Sequence, residues 1–257
     1  MTARERIHTQ ILWDRLLAVV EEQAQTLVRT AFSTTVREAG DLSAGVFDTR
    51  GRMLTQAITG TPGHVNAMAA SVGFFLQKFP VETLQPGDVL LTNDPWFGTG
   101  HLNDFTVITP VFKNSRPVAL FAATSHIADV GGLGFGPDGR QVFEEGLNIP
   151  MGYLYRRGEL NEVLMEILRA NVRDPQAAEG DLHSLTACNQ AGAESLLATM
   201  DEFGMDSLDA AADWIISHSR KAMLEQIRKL PYGTWRNAMR IDGYDEPVDL
   251  VLSLIHI

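Results

Sequence analysis

The chain has 257 residues, with 21 Lys+Arg against 32 Asp+Glu and a formal net charge of −11; it is 45% hydrophobic and 21% charged. Those proportions describe a soluble globular protein able to bury one large core or two modest ones. They exclude the basic surplus that nucleic-acid binding requires, and no apolar run reaches the roughly 18 residues of a membrane span.

Near the start, the apolar stretch 16–20 is short and runs straight into Glu21-Glu22, so it is not read as a signal peptide and a cytoplasmic setting is expected. Cys188 is the one cysteine and has no partner for an internal disulfide. Over 9–31, Ile11, Leu12, Leu16, Val19, Val20, Leu27 and Val28 recur near helical spacing and predict a long amphipathic helix. Residues 43–48 and 53–58 predict a hairpin around the polar turn Asp48-Thr-Arg-Gly-Arg. Thr61-Pro62-Gly63 introduces a helix over about 64–78, and Pro86-Gly87 breaks the chain before an apolar strand at 89–92. The loop Asn93-Asp-Pro-Trp-Phe-Gly-Thr-Gly-His follows. Residues 105–112 and 118–124 are rich in β-branched and aromatic side chains and predict two strands, joined as a hairpin by Lys113-Asn-Ser-Arg-Pro. Residues 131–139 hold five glycines and predict a loop whose backbone approaches a neighbour closely.

After Pro150 the pattern turns helical. Leu160, Val163, Leu164, Ile167, Leu168 and Val172 mark a short amphipathic helix, and Asp174-Pro175 opens the next. Residues 182–203 and 207–229 are read as further helices. The expected architecture is α+β. A mixed α/β region with hairpins spans 1–150, a helical region spans 151–240, and a truncated β region begins over 241–251. The last residues, 252–257, correspond to one reading frame of a transposon end used in sequencing libraries. They are read as a scar that ends a longer natural chain early.

The chemistry concentrates at the 105–124 hairpin. His101-Leu-Asn-Asp104 lies just before its first strand, and Ser125-His126-Ile-Ala-Asp129 just after its second. With the turn near Ser115, positions summing to about 230 face each other, which sets Asp104 opposite His126 with His101 close by. Two imidazoles and a carboxylate converging at a hairpin base form part of a coordination shell for Mn, Fe or Zn, with open positions for substrate or water. Asp129 is a candidate fourth ligand, an orienting partner for a histidine, or a general base. His64 is a second candidate base; it sits at a predicted helix start, where the dipole disfavours the protonated imidazole. Asp94, ahead of Pro95, is a candidate substrate contact, with a plain Asp-Pro turn as its structural alternative. His183 beside Asp181 reads as structural. The 131–139 loop lacks the lysine of a phosphate-binding loop, so no nucleotide site is visible.

Five motifs in order, Asn93-Asp-Pro-Trp, Gly100-His-Leu-Asn-Asp, Ser125-His-Ile-Ala-Asp-Val-Gly-Gly, Glu144-Glu-Gly-Leu-Asn-Ile-Pro and Gly180-Asp-Leu, resemble the hydantoinase B family. That family includes the 5-oxoprolinase C-terminal region and the acetone carboxylase alpha subunit. The resemblance begins near Arg37 and covers the N-terminal part of members about twice this long, a length that suggests several domains. It implies a metal held at positions similar to His101, Asp104 and His126, manganese in the carboxylase branch, so Mn is favoured over Zn or Fe. It also implies a hetero-oligomer with a kinase-like hydantoinase A-type subunit, which uses ATP to phosphorylate the substrate carbonyl or enol oxygen. The present subunit would then complete ring opening of a cyclic amide such as a hydantoin or 5-oxoproline. Two alternatives stand beside this reading: the alpha subunit of an acetone/acetophenone-type ATP-dependent carboxylase acting on a ketone, and a non-catalytic scaffold subunit.

Overall fold

Strands whose apolar residues point both ways must be covered on both faces, and the architecture follows from that. The computed structural model of the chain describes residues 3–136, 138–243 and 245–256 and has the expected α+β fold. Pro137 of the glycine-rich loop and Ile257 of the 252–257 segment lie outside the described residues. The chain divides into a unit ending at Ala212 and a unit from Asp213 onward.

In the first unit, α1 (Ala3–Thr30) leads through α2 (Thr34–Arg37) into the hairpin β1 (Leu42–Phe47) and β2 (Met53–Gln56). Next come α3 (Pro62–Lys78), β3 (Val89–Thr92), β4 (Asp104–Lys113), β5 (Arg116–His126) and α4 (Val142–Glu145). A small hairpin of β6 (Gly152–Arg156) and β7 (Glu159–Leu160) precedes α5 (Glu162–Asn171), α6 (Pro175–Glu202) and the start of α7 (Asp209–Ile227). The strands form one sheet in the order β2-β1-β5-β4-β3-β6-β7, antiparallel at every pairing.

On one face, Leu27 of α1 and Leu182 and Leu185 of α6 pack with Phe105, Val107 and Ala123. On the other, Met68, Val72 and Phe75 of α3 pack with Phe47, Ile108 and Leu120. Successive residues of β4 therefore alternate between two cores, and its first half is buried without interruption. Each large apolar side chain so buried stabilises the fold by about 1.5–3 kcal/mol.

The register of β4 against β5 places the site. The turn is two residues, Asn114 and Ser115, with φ of 51° and 62°, the mirror-image turn whose twist suits a hairpin. Lys113 pairs with Arg116 and Phe112 with Pro117; a bulge between Val111 and Phe112 then shifts the ladder by one. Beyond it Val111 pairs with Ala119 and, at the far end, Asp104 with His126. Without that bulge the turn would set Asp104 opposite Ser125 and send His126 to the opposite face.

Several elements differ from the sequence expectation. The helix read from residue 9 starts at Ala3. The helix opening at 174–175 and the one read over 182–203 are a single helix, α6, whose Asp174 cap accepts from the Ala177 N–H. The interior glycine at 180, which costs a helix up to about 1 kcal/mol against alanine, has a packing reason: a Cβ there would run into the Phe32 ring. Strands β6 and β7 fall in the segment read as helical. They are too short to show a period, and they close through Arg157-Gly158, both at positive φ. In the second unit, after the remainder of α7, β8 (Gly233–Ile241) pairs with β9 (Val248–His256), from Gly233↔His256 to Ile241↔Val248. The strand read as only beginning near Val248 thus continues through 252–256. Among the described residues no helix is long and apolar enough to cross a membrane.

Candidate metal centre

The sheet builds the site row by row. Asp104 pairs with His126, and the β1–β5 ladder that starts at Leu42↔Ser125 extends to residue 41, whose carbonyl accepts from the His126 N–H at 3.2 Å. Asp41, His126 and Asp104 therefore form one row across the strand ends. The next row on that face is Ser43, Thr124, Thr106 and Thr92, all buried, and the third is Gly45, Ala122, Ile108 and Leu90. The hydroxyl row satisfies itself: Thr106 and Thr124 lie 3.0 Å apart, Thr92 donates to the Ile149 carbonyl, and Ser43 to that of Thr61. Polarity falls from charged to apolar within four residues of strand. The first turn of α3 adds His64 to this edge, and the loop after β3 adds His101.

Distances within the cluster are short. Asp104 Oδ2 lies 3.4 Å from His64 Nε2 and 3.6 Å from His101 Nε2, while its Oδ1 lies 3.5 Å from His126 Nδ1. Asp41 lies 3.7 Å from both His64 Nε2 and His126 Nδ1, and it accepts a 2.7 Å hydrogen bond from the Thr61 hydroxyl. Asp104 is 1% exposed and His126 3% exposed. Neither Asp104 oxygen and neither His126 ring nitrogen makes a well-formed hydrogen bond among the described residues.

Such separations are too long for hydrogen bonds. They match the spacing of about 3.4 Å between two donors that each sit about 2.1 Å from one tetrahedral ion. His101, Asp104 and His126 each offer a ligand atom, all within 4.8 Å of one another. A buried carboxylate without hydrogen bonds is costly, and a cation relieves that cost. The donor set, its burial and its orphaned atoms fit a divalent metal ion.

Burial opposes ionisation of Asp104, but the contacts with His126 and His64 and the charge of His101 outweigh it and hold this carboxyl well below the usual range. Burial likewise opposes protonation of His64, and it is outweighed by the contact with Asp104 and the charges of Asp104 and Asp41, which push its pKa up. This shift is opposite in direction to the one expected from the helix start. A helix N-terminus carries only about half a charge, whereas two carboxylates lie within 3.7 Å of this ring.

Two loops complete the site. Asn93, fully buried, donates to the carbonyls of Leu102 and Leu147 and accepts from the Ile149 N–H, so it fastens the His101 loop to the segment after α4. Asp94 is spent on its own turn: its side chain accepts from Trp96 N–H, and its carbonyl from Phe97 and Gly98. In the glycine-rich loop, Phe135 sets its ring edge-on to His126 with centroids 4.9 Å apart, yet is 73% exposed.

Asp129 holds the root of that loop. Its carboxylate accepts from the N–H groups of Gly131, Arg173 and Asp174 and from the Arg173 guanidinium. Burial raises its pKa, but these donors outweigh burial and lower it. The folded value is thus below the unfolded one, so the clasp stabilises above about pH 4 and is lost as pH falls through the folded value. The deficit in thermal stability of Asp129→Asn is therefore expected to be largest near neutral pH and to shrink in acid. A deficit independent of pH would contradict this.

The structure thus gathers His64, His101, Asp104 and His126, while Asp94 bonds within its own turn and Asp129 ties the glycine-rich loop to Arg173 and Asp174. His183 bonds the Tyr155 hydroxyl and faces Glu179. Sequence reasoning missed Asp41, because the β1–β5 pairing that brings it in joins distant segments and leaves no local signal. Asn93 stood in a quoted motif, but only the structure shows its task.

The sequence profile described as Hydantoinase B/oxoprolinase matches residues 5–256. Over 251 residues the chain is 28% identical to a protein named as a D-/L-hydantoinase subunit from Pseudomonas sp. (strain NS671), covering 94% of this chain and 42% of that one. The crystal structure of the ATP-dependent caprolactamase from Pseudomonas jessenii superposes with a TM-score of 0.80 at 24% identity, over 92% of this chain and 41% of that one. A nucleotide-free acetone carboxylase structure also gives 0.80, at 22% identity, over 91% of this chain and 32% of that one. At those identities the two structural matches are likenesses of fold. The chain spans about two fifths of the length of the hydantoinase subunit it matches.

Proposed function

The chain belongs to the hydantoinase B/oxoprolinase family, and from that premise we propose that it is part of a metal-dependent subunit of an ATP-dependent cyclic-amide hydrolase. The observation that carries this reading is the convergence of His101, Asp104 and His126 around a buried carboxylate without hydrogen bonds. The relative from Pseudomonas sp. is named as one subunit of its hydantoinase, and the caprolactamase is described as ATP-dependent. Both support a hetero-oligomer in which a hydantoinase A-type partner uses ATP. A cytoplasmic location suits that ATP supply.

A lactam or hydantoin carbonyl is a poor electrophile; phosphorylating its oxygen activates the carbon for attack by water. The ring C–N bond then breaks, the nitrogen takes up a proton, and the resulting acyl phosphate is hydrolysed to carboxylate and phosphate. His101, Asp104 and His126 would hold the ion, with manganese favoured and Zn or Fe as alternatives for the same donors. When bound, the ion supplies Lewis-acid polarisation of a substrate oxygen and a more acidic water. His64, held between Asp41 and Asp104, carries the proton that ring opening must deliver to the departing nitrogen. Phe135 presents an apolar wall beside His126 for the ring methylenes. Asp129 serves this site through the glycine-rich loop whose root it holds.

The test combines both full-length subunits with ATP and either hydantoins, 5-oxoproline and simple lactams, or ketones plus bicarbonate. ADP release that depends on a cyclic amide is expected. Turnover with ketone and bicarbonate alone would move the protein to the carboxylase reading. Full activity of His101→Ala in protein without bound metal would leave a scaffold.

A further inference from the structure

The Gly180-Asp181-Leu182 motif stands apart from the cluster, inside α6 on the other face of the sheet. Asp181 is 1% exposed, an unusual place for a helical carboxylate. Its Oδ1 accepts from the Phe32 N–H at 2.7 Å and the Ser33 N–H at 3.2 Å, the first amides after α1 apart from that of Ala31. Gly180 leaves room for the Phe32 ring beside it. From there a continuous path leads to the metal ligands. Thr35 Oγ1 lies 3.1 Å from Ser33 Oγ and donates to the His126 carbonyl at 3.0 Å. The Thr35 carbonyl accepts from the Asp41 N–H at 3.1 Å, and the Asp41 carbonyl from the His126 N–H at 3.2 Å.

We propose that Asp181 is a positioning residue for the metal centre. By fixing residues 32 and 33 it sets the α2 turn, and the α2 turn holds Asp41 and His126 in the row that faces Asp104. The inference rests on the metal-site reading above, but its geometry exists without the ion. The carboxylate suits the task because one oxygen takes both amides at once, and a charged acceptor makes the stronger hydrogen bonds. A buried helix can hold such an acceptor more rigidly than a loop can.

Ser184 supplies the control. It ties the same helix to α1 through the Thr30 carbonyl at 2.8 Å but lies upstream of the path to residues 41 and 126. Asp181→Ala, Asp181→Asn, Thr35→Val, Thr35→Ser and Ser184→Ala are made in the full-length subunit. Three quantities are read: manganese affinity by chelator competition, amide hydrogen exchange at Asp41 and His126 in metal-free protein, and thermal stability by melting. Asp181→Ala and Thr35→Val are expected to weaken Mn binding ~10–100-fold, the usual effect of losing an outer-shell partner, and to speed exchange at both amides. Asp181→Asn and Thr35→Ser keep the acceptor and the hydroxyl and should stay near wild type. Ser184→Ala should lower the melting temperature alone. Lowered melting temperatures in Asp181→Ala and Thr35→Val with unchanged affinity and exchange would overturn the proposal. If Asp181→Ala does not fold, the Thr35 pair decides. A wild-type protein that binds no divalent ion would sink the functional reading, and the exchange data would then decide the positioning role alone.

Discussion

Asp104→Asn is expected to cost more than ~100-fold in divalent-metal affinity, beyond the range seen for outer-shell partners, and to bring ATP-driven turnover to background. Asparagine keeps the volume, so any loss reports the charge. Asp104 is the residue that three imidazoles share, at 3.4, 3.5 and 3.6 Å. Without its carboxylate, the buried His126 and His64 are left with Asp41 as the remaining acid of the row. Metal content of the purified protein, measured by elemental analysis alongside turnover, checks this. Wild-type metal content and turnover in Asp104→Asn would rule out a metal centre at this carboxylate.

The second large effect is one of stability. Asn93→Ala should lower the unfolding free energy by about 2–5 kcal/mol, because two buried backbone groups and one part-buried one lose their partner at once and each buried group costs about 1–3 kcal/mol unpaired. Those groups are the carbonyls of Leu102 and Leu147 and the N–H of Ile149. Asn93→Asp is no remedy: a carboxylate keeps the acceptor but turns an anion on the two carbonyls. Because Leu102 adjoins His101, metal affinity should fall as well. Denaturant unfolding of the metal-free subunit provides the number, and a loss below about 1 kcal/mol would show that water replaces the side chain.

Much of the local structure is legible in the chain because its signals are local. The period of Leu12, Leu16, Val19, Val20 and Leu27 is that of the helix observed. Lys113-Asn-Ser-Arg-Pro marks a hairpin connection between strands of the right composition, which closes as a two-residue turn at Asn114-Ser115, and the motifs at 101–104 and 126 carry the right donors. The departures have physical causes. The helix opened at 174–175 and the one read over 182–203 run on as one, with Gly180 between them making room for Phe32. Asp94 and Asp129 have the chemistry of site residues, and the structure adds the turn and loop donors that each also bonds. His64 at a helix start predicts a lowered pKa, whereas Asp41 and Asp104, arriving from distant segments, raise it.

The elements, the donor types and the hairpin that brings Asp104 and His126 to the same end were all dictated by the chain's local order, since each depends on residues within one turn or one strand pair. Which donors share a face was decided by tertiary structure. A strand's side chains alternate with period two, so the single bulge at Val111/Phe112 determines whether Asp104 meets His126 or Ser125. Bringing in Asp41 and His64 required β1 and α3 to pack on β5, contacts whose partners lie tens of residues apart and leave no periodic trace. The buried Asp181 that braces this edge from the opposite face of the sheet became readable only once the end of α1 was seen lying against it.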